Sequence, residues 1–405
     1  MRQTIWFLLM FPVYIFSKLV PKDNKLYLFG SRHGLEIADN AKYLFLHAAR
    51  NEKDKRCVFL SRNPDVVRLL TEAGYESCLS SSSEGRRLAL RARKCFVSHS
   101  THDIHPLLIG GAEIIQLWHG TPLKKIGYDA MYRGQSALAG IKSAARRVLF
   151  ALFPYLNTAM RFDKLVVSSE AVKPSFRSAF HIDDRKIVVA GQPRNDTMTG
   201  EYALDRSVFP EITYLEDLRR SGERLITWMP THRLLSGGGI AGLLEEYGFE
   251  IDAVSSFLAE NNARLIVKVH PLDTAGIEGV LESSERITIY PFPDPYPLLT
   301  YTDILLTDYS SVYFDFLLTD RPIIFTPFDR EAYIRDDADF YYDYDLVTPG
   351  PHCRDWSEVI SAIGRCLSQL SGNSTDPYAA DRRKICRQFN DYSGGNAARI
   401  VERLF

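Results

Sequence analysis

The chain has no surplus of charge of either sign. Its 49 Lys and Arg face 50 Asp and Glu, for a formal net charge of −1. A global basic field for nucleic acid is thereby excluded, although local clusters are not. Cysteine is sparse. The six residues (Cys57, Cys78, Cys95, Cys353, Cys366, Cys386) form no CxxC and no metal-ligand spacing. That distribution predicts free, mostly buried thiols in a reducing compartment. There is no HxH or HExxH, no repeat of the solenoid kind, and no low-complexity tract beyond "SSSSE" (Ser80 to Glu84), read as a loop.

Long hydrophobic runs are also scarce. The one departure is "TIWFLLMFPVYIFSKLV", Thr4 to Val20, which is apolar, lacks acidic residues and is flanked by Arg2, Lys18 and Lys22. It is short for a membrane span, carries Pro12 and has no small-residue cleavage site. Two readings stand: an interfacial helix anchored by Trp6, Phe7, Phe11 and Tyr14, or a first helix packed on the protein body. The stretch from Ser143 to Phe162, with Arg146 and Arg147 beside Leu and Phe, is a second candidate contact or a buried helix.

What remains is a globular composition, 45% apolar and 24% charged over 405 residues, enough for two domains. Apolar strands alternate with helical segments. "KLYLF", "RCVFLS", "KCFVSH", "AEIIQLWH", "KLVVSSE" and "KIVVAG" form a first set, with a helix from Asp39 capped by Asp39 or Asn40. "RLITWMP", "RLIVKVHP", "ERITIYP", "DILLTD" and "PIIFTP" form a second. This is the βαβ rhythm of parallel sheets. The polar stretch from Gly191 to Glu223 separates the sets. The expected division is residues 1–22 as a membrane-associating segment, 23–200 as one Rossmann-like domain and 201–405 as another, with a central cleft.

Polar residues gather where strands end. "IIQL" runs into Trp118-His119-Gly120-Thr121-Pro122, then Lys124 and Lys125. "LITW" runs into Met229-Pro230-Thr231-His232-Arg233, "LIVKV" into His270-Pro271, and "DILL" into Thr307-Asp308-Tyr309-Ser310-Ser311. In doubly wound sheets ligands bind beyond these ends. A histidine there can take a proton from an alcohol. Arg, Lys and Ser can stabilise a pyrophosphate. Gly120 lets backbone approach a ligand. Ser310 or Ser311 is placed to cap the following helix, whose first N–H groups favour phosphate. Taken singly, a histidine is more often a satisfied turn residue, Ser-Ser only a cap and Lys124-Lys125 a solvated face. No acidic DxD-type pair stands out at these ends, since Asp303 and Asp308 are five apart. No metal is therefore required, though Mg²⁺ is compatible.

The stretches "LWHGTPLKKIG", "GQPRND", "MPTHR", "KVHP" and "LLTDYSSVYFDF", with "DNAKYLF" upstream, closely resemble the CDP-glycerol glycerophosphotransferase family of teichoic acid and capsule synthesis. The resemblance runs in the family's order from about Gly30 to Tyr333. It implies a GT-B-like fold of two Rossmann-type domains, the first for the acceptor and the second for the donor. It implies transfer of glycerol phosphate, or a related alditol phosphate, from CDP-glycerol or CDP-ribitol to a hydroxyl of a lipid-linked saccharide or growing polymer, releasing CMP. His119 would be the base and His270 would contact the donor phosphates. Thr307, Ser310 and Ser311 would line the phosphate site, with Asp308 orienting it. Arg233 and Thr231 would hold the donor, and Gly120, Thr121, Lys124 and Arg194 belong to the matching motifs. The chain departs from the family at His232, where Trp is common. The implied location is the cytoplasmic face of the bacterial membrane, held peripherally. A compact transferase is expected rather than a large polymerase.

Two competing readings follow from the same residues. The first is a GT-B glycosyltransferase using a nucleotide sugar. The second is a non-catalytic membrane-bound scaffold that binds an anionic polymer through Lys124, Lys125, Arg146 and Arg147. The loops around Tyr128 to Gly140 are the expected seat of acceptor choice.

Overall fold

The computed structural model describes residues 10–131, 148–150, 152–200, 204–233, 239–281 and 284–405. Trp6, Phe7, Arg146, Arg147 and most of the Tyr128–Gly140 stretch lie outside these. The chain divides into two compact units. Unit 1 is Met1–His119, Gly127–Asp196 and Asp391–Phe405; unit 2 is Gly120–Ile126 and Thr197–Asn390.

Unit 1 is a seven-stranded parallel sheet. Its strands are β1 (Asp23–Gly30), β2 (Arg56–Ser61), β3 (Ser77–Leu79), β4 (Ala92–Val97), β5 (Glu113–Gln116), β6 (Lys164–Val167) and β7 (Ile187–Val189). The order is β3-β2-β1-β4-β5-β6-β7. Strand order therefore reverses between β1 and β4, where Leu28 pairs with Cys95 and Gly30 with Val97. Gly30 is required at that point. A Cβ there would lie 2.2 Å from the Asp103 carbonyl oxygen, far inside contact distance. The sequence reading missed β3, a three-residue edge strand, and placed the others within a few residues.

Unit 2 is a five-stranded parallel sheet of β8 (Arg224–Met229), β9 (Ala263–Val267), β10 (Ile287–Ile289), β11 (Ile304–Thr307) and β12 (Ile323–Phe325), ordered β10-β9-β8-β11-β12. Its strands read as unbroken apolar runs because both faces are covered. Ile226 and Trp228 of β8 and Leu265 and Val267 of β9 pack into one core cluster. Leu225 and Ile266, one residue out of step, pack into another on the opposite face with Leu215, Tyr290 and Leu298. Period-two alternation thus feeds two cores. Truncating a fully buried Leu of this kind to Ala costs ~2–5 kcal/mol.

Two segments depart from the expected division. Gly120–Ile126 packs with unit 2, where Lys124 bridges to Phe340 and the Lys125 N–H donates to the Asp339 carbonyl at 2.8 Å. The last fifteen residues return to unit 1. The Phe405 ring lies 4.9 Å from Tyr27 and 5.1 Å from Phe96. The Asp196 carboxylate accepts from the N–H groups of Asn396 and Ala397, both at 2.9 Å, and so caps the final helix.

The helix α1 (Phe11–Leu19) is packed on unit 1 along one side only. Tyr14 is buried, its ring 5.0 Å from Tyr155, and the Ser17 hydroxyl lies 2.9 Å from the Leu107 carbonyl. Ile15, Phe16 and Leu19 are exposed. No described helix is long and apolar enough to cross a membrane.

Candidate active site

In unit 1 the polar residues collect beyond the strand ends flanking the β1/β4 reversal, the usual ligand-binding position of such sheets. His119 lies three residues past β5. Its Nδ1 is 3.0 Å from the Ser98 carbonyl oxygen. A carbonyl can only accept, so Nδ1 carries the hydrogen and Nε2 of the neutral ring keeps its lone pair. The ring stacks on His99 and on Trp118, each at 4.3 Å. Trp118 adopts a left-handed φ of 55°, which turns the chain sharply just before His119.

Accessible surface and electrostatic environment differ at His119. The residue is exposed, so a ligand can reach it. Yet the surrounding protein desolvates the imidazolium and lowers the pKa below that of an ordinary histidine, opposed by the Asp39 carboxylate and the Ser98 carbonyl. His99 is pushed down to about 3, first by burial and then by His119. Two neutral, stacked imidazoles result at neutral pH.

Asp39 organises this end of unit 1. It opens the helix α2 (Asp39–Asn51) with a φ of 55°. Its side chain does not cap that helix, contrary to expectation. Instead Oδ2 accepts from Arg32 Nε at 2.8 Å and lies 3.7 Å from His99 Nε2, and Oδ1 lies 3.8 Å from Arg194 Nη1. Burial alone would raise its pKa. Arg32, then His99 and Arg194, outweigh burial and hold the carboxyl well below its usual range. Asn40 is the second anchor, donating through Nδ2 to the carbonyls of Leu117 and Trp118 at 3.0 and 2.9 Å. It thereby fixes the backbone that leads into His119. Arg194 is buried in this network.

In unit 2 the residues collect at the β8/β11 reversal, where Met229 pairs with Thr307. Arg233, expected as a donor-binding group, is buried. Its Nε and Nη2 donate to Asp329 at 2.7 and 2.9 Å, and Nη1 meets Asp308 at 2.8 Å. The guanidinium also lies over the rings of Tyr309 and Tyr333, 5.0 and 4.9 Å from their centroids. A carboxylate pair and two aromatic faces surround the cation.

Thr307 is likewise interior. It is buried and its hydroxyl donates to the Met229 carbonyl at 2.7 Å. Asp308 accepts from the Thr231 N–H at 2.8 Å and so shapes the Met229–Arg233 turn. The Thr231 hydroxyl is buried with no hydrogen-bond partner among the described residues. The helix after the turn is only Val312–Phe316. Ser311 occupies its N-cap position without a side-chain cap, while the Ser310 hydroxyl accepts from Val312 N–H at 3.4 Å. Gly120 and Thr121 are buried in the Gly120–Ile126 segment. Lys124 donates to the Tyr333 hydroxyl at 3.2 Å; burial lowers its pKa, opposed by Asp308.

His270 is exposed beyond β9. Its Nδ1 accepts from the Leu272 N–H at 3.3 Å, so Nε2 of the neutral ring carries the hydrogen. His119 and His270 thus present opposite functions at Nε2: lone pair on one, N–H on the other. His232 lies beside His270, with ring centroids 4.9 Å apart, and its Nδ1 is 2.7 Å from Asp273 Oδ2. Sequence reading did not assign Asp329, Asp273, His99 or Arg32. Only their partners in space reveal them, from 7 residues away for Arg32 and Asp39 to 96 for Asp329 and Arg233.

Two parallel-sheet α/β units with basic and hydroxyl side chains at the strand reversals define a GT-B-like protein. The chain belongs to the family described as CDP-Glycerol:Poly(glycerophosphate) glycerophosphotransferase, which matches residues 12–405. It is 24% identical to the teichoic acid glycerol-phosphate transferase of Staphylococcus aureus, covering 100% of this chain and 99% of that one. It is 27% identical to the teichoic acid poly(ribitol-phosphate) polymerase of Bacillus spizizenii, covering 96% of this chain but only 57% of the polymerase. Among solved structures, the wall teichoic acid polymerase TagF superposes with a TM-score of 0.71 at 21% identity, over 100% of this chain and 98% of that one. That likeness speaks to fold.

Proposed function

We propose that the protein transfers glycerol phosphate or ribitol phosphate from a CDP-linked donor to a hydroxyl of a lipid-linked saccharide or growing polymer, releasing CMP. The observation that carries this reading is the fixed tautomer of His119, within a family match spanning nearly the whole chain. The acceptor hydroxyl gives its proton to His119 Nε2. Its oxygen attacks the phosphorus that bears the alditol. The bond from that phosphorus to the bridging oxygen breaks, and the electron pair leaves with CMP. His270 donates from Nε2 to a donor phosphate oxygen, and Lys124, Ser310 and Ser311 add charge and hydrogen bonds. Asp39, Arg32 and Asn40 position His119. Arg233 acts from beneath, through Asp308 and the turn carrying Thr231. No step needs a metal, and Mg²⁺ is compatible with the donor's pyrophosphate.

Supporting a peripheral place on a membrane surface, α1 exposes Ile15, Phe16 and Leu19, and Phe11 touches Phe153 close to exposed Val148 and Leu152.

The test is CMP release from CDP-glycerol and from CDP-ribitol with a lipid-linked disaccharide acceptor. Wild type and His119→Ala are run side by side with a donor-binding measurement. Release with one donor, lost in the variant while donor still binds, is the expected result. Loss of donor binding in His119→Ala overturns the base assignment, and no CMP from either donor overturns the reaction.

A further inference from the structure

The strand-end histidines of unit 2 converge in a way that no sequence spacing announces. β8 and β9 are neighbours, with Trp228 paired to Val267. Four residues past Trp228 lies His232, and three past Val267 lies His270. The helix α3 (Pro271–Leu281) starts at once and carries Asp273 in its first turn. The Asp273 N–H donates to the His270 carbonyl at 2.9 Å, which holds the carboxylate next to its histidine. One ligand-capable atom from each of His232, His270 and Asp273 lies within 4.8 Å of the other two. Among the described residues this is the one such group.

The three side chains are graded from inside to outside. Asp273 is buried, His232 half-buried and His270 exposed. Such a site has a fixed floor and an open side. Two imidazoles and one carboxylate suit zinc and its first-row neighbours, whereas Mg²⁺ prefers oxygen alone. Ligand atoms on a tetrahedral zinc sit about 3.3 Å apart, given Zn–N and Zn–O near 2.0–2.2 Å. The His232–Asp273 contact at 2.7 Å opens slightly to reach that spacing. The exposed His270 releases the Leu272 N–H and turns the lone pair of Nδ1 to the ion, which leaves its Nε2–H for a phosphate oxygen.

We propose that His232, His270 and Asp273 bind a divalent transition-metal ion, with water or phosphate oxygens completing its coordination. Contact between this ion and the donor's phosphates rests on the phosphotransferase reading above; metal binding itself does not.

The test uses the full chain, stripped with chelator and titrated with Zn²⁺ calorimetrically in the absence of any nucleotide. One tight equivalent is expected. His232→Gln and Asp273→Asn should each weaken it at least tenfold, while His47→Gln leaves it unchanged. Thermal unfolding of each variant shows that the fold is intact, and having two ligand variants guards against one failing to fold. No saturable equivalent, or one that is indifferent to both substitutions and hence an adventitious ion only, overturns the proposal. CMP release is measured separately on the same preparations. Metal binding without CMP release counts against the reaction alone, and CMP release without metal binding counts against the ion alone.

Discussion

Arg233 meets Asp329 through two parallel hydrogen bonds, 2.7 and 2.9 Å long, with both side chains buried. Removing the acid leaves the buried guanidinium with Asp308 as its remaining carboxylate and with two interior N–H donors unmet. Asp329→Ala should therefore destabilise the protein by ~3–5 kcal/mol, read by urea unfolding. Arg233→Lys should also destabilise, because an ammonium cannot reproduce the fork. A raised KM for donor with unchanged stability would return Arg233 to the ligand-contacting role.

The acid limb of kcat/KM reports the base. Burial lowers the pKa of His119, and the base must be unprotonated, so the rate should rise with pH and level off below the ordinary histidine value of about 6.5. Asp39→Asn removes a carboxylate that raises that pKa. Its acid limb should move to still lower pH, while kcat falls as His119 loses its positioning. A limb that stays put in Asp39→Asn counts against His119 as the titrating group.

His99 bears on stability. Its folded pKa of about 3 lies below the unfolded value, so the folded state disfavours the extra proton. Its contribution is fully present above about pH 6.5. It is lost progressively as pH falls toward 3. His99→Phe should flatten the decline in unfolding free energy over that window; an unchanged slope would show that other groups cause it.

Gly191 and Asn396 tie the C-terminal helix to unit 1. A Cβ on Gly191 would lie 2.0 Å from Asn396 Oδ1, and the backbone is left-handed with φ +83°. Gly191→Ala should cost ~1–3 kcal/mol in thermal or urea unfolding. Asp196→Ala, which removes the helix cap, should cost ~0.5–2 kcal/mol. Wild-type stability in Gly191→Ala would show that the helix contact yields without cost.

Exposed α1 side chains make the membrane reading testable. Phe16→Glu with Leu19→Glu should abolish co-sedimentation with vesicles containing anionic lipid. CMP release to a soluble acceptor analogue should be unaffected. Retained sedimentation would exclude α1 as the contact.

Much of this protein is decided locally and is legible in order along the chain. Strands such as Ile304–Thr307, buried on both faces, must be apolar throughout, and each must end in polar residues where the sheet meets solvent or ligand. That alone determines two parallel-sheet units and puts His119, Thr231, His270 and Ser310 at strand ends. Partnership is another matter. An arginine in "MPTHR" reads the same whether it faces a phosphate or a carboxylate, and the deciding Asp329 is 96 residues away. His232 and Asp273 are 41 apart and make no spacing motif until β8 and β9 pair. The last helix returns to unit 1 because Asp196, 200 residues upstream, supplies its cap. Periodicity and turn chemistry act over a few residues and survive in the sequence. Ion pairs, tautomers and metal-ligand sets depend on distances through space, which only the folded chain determines.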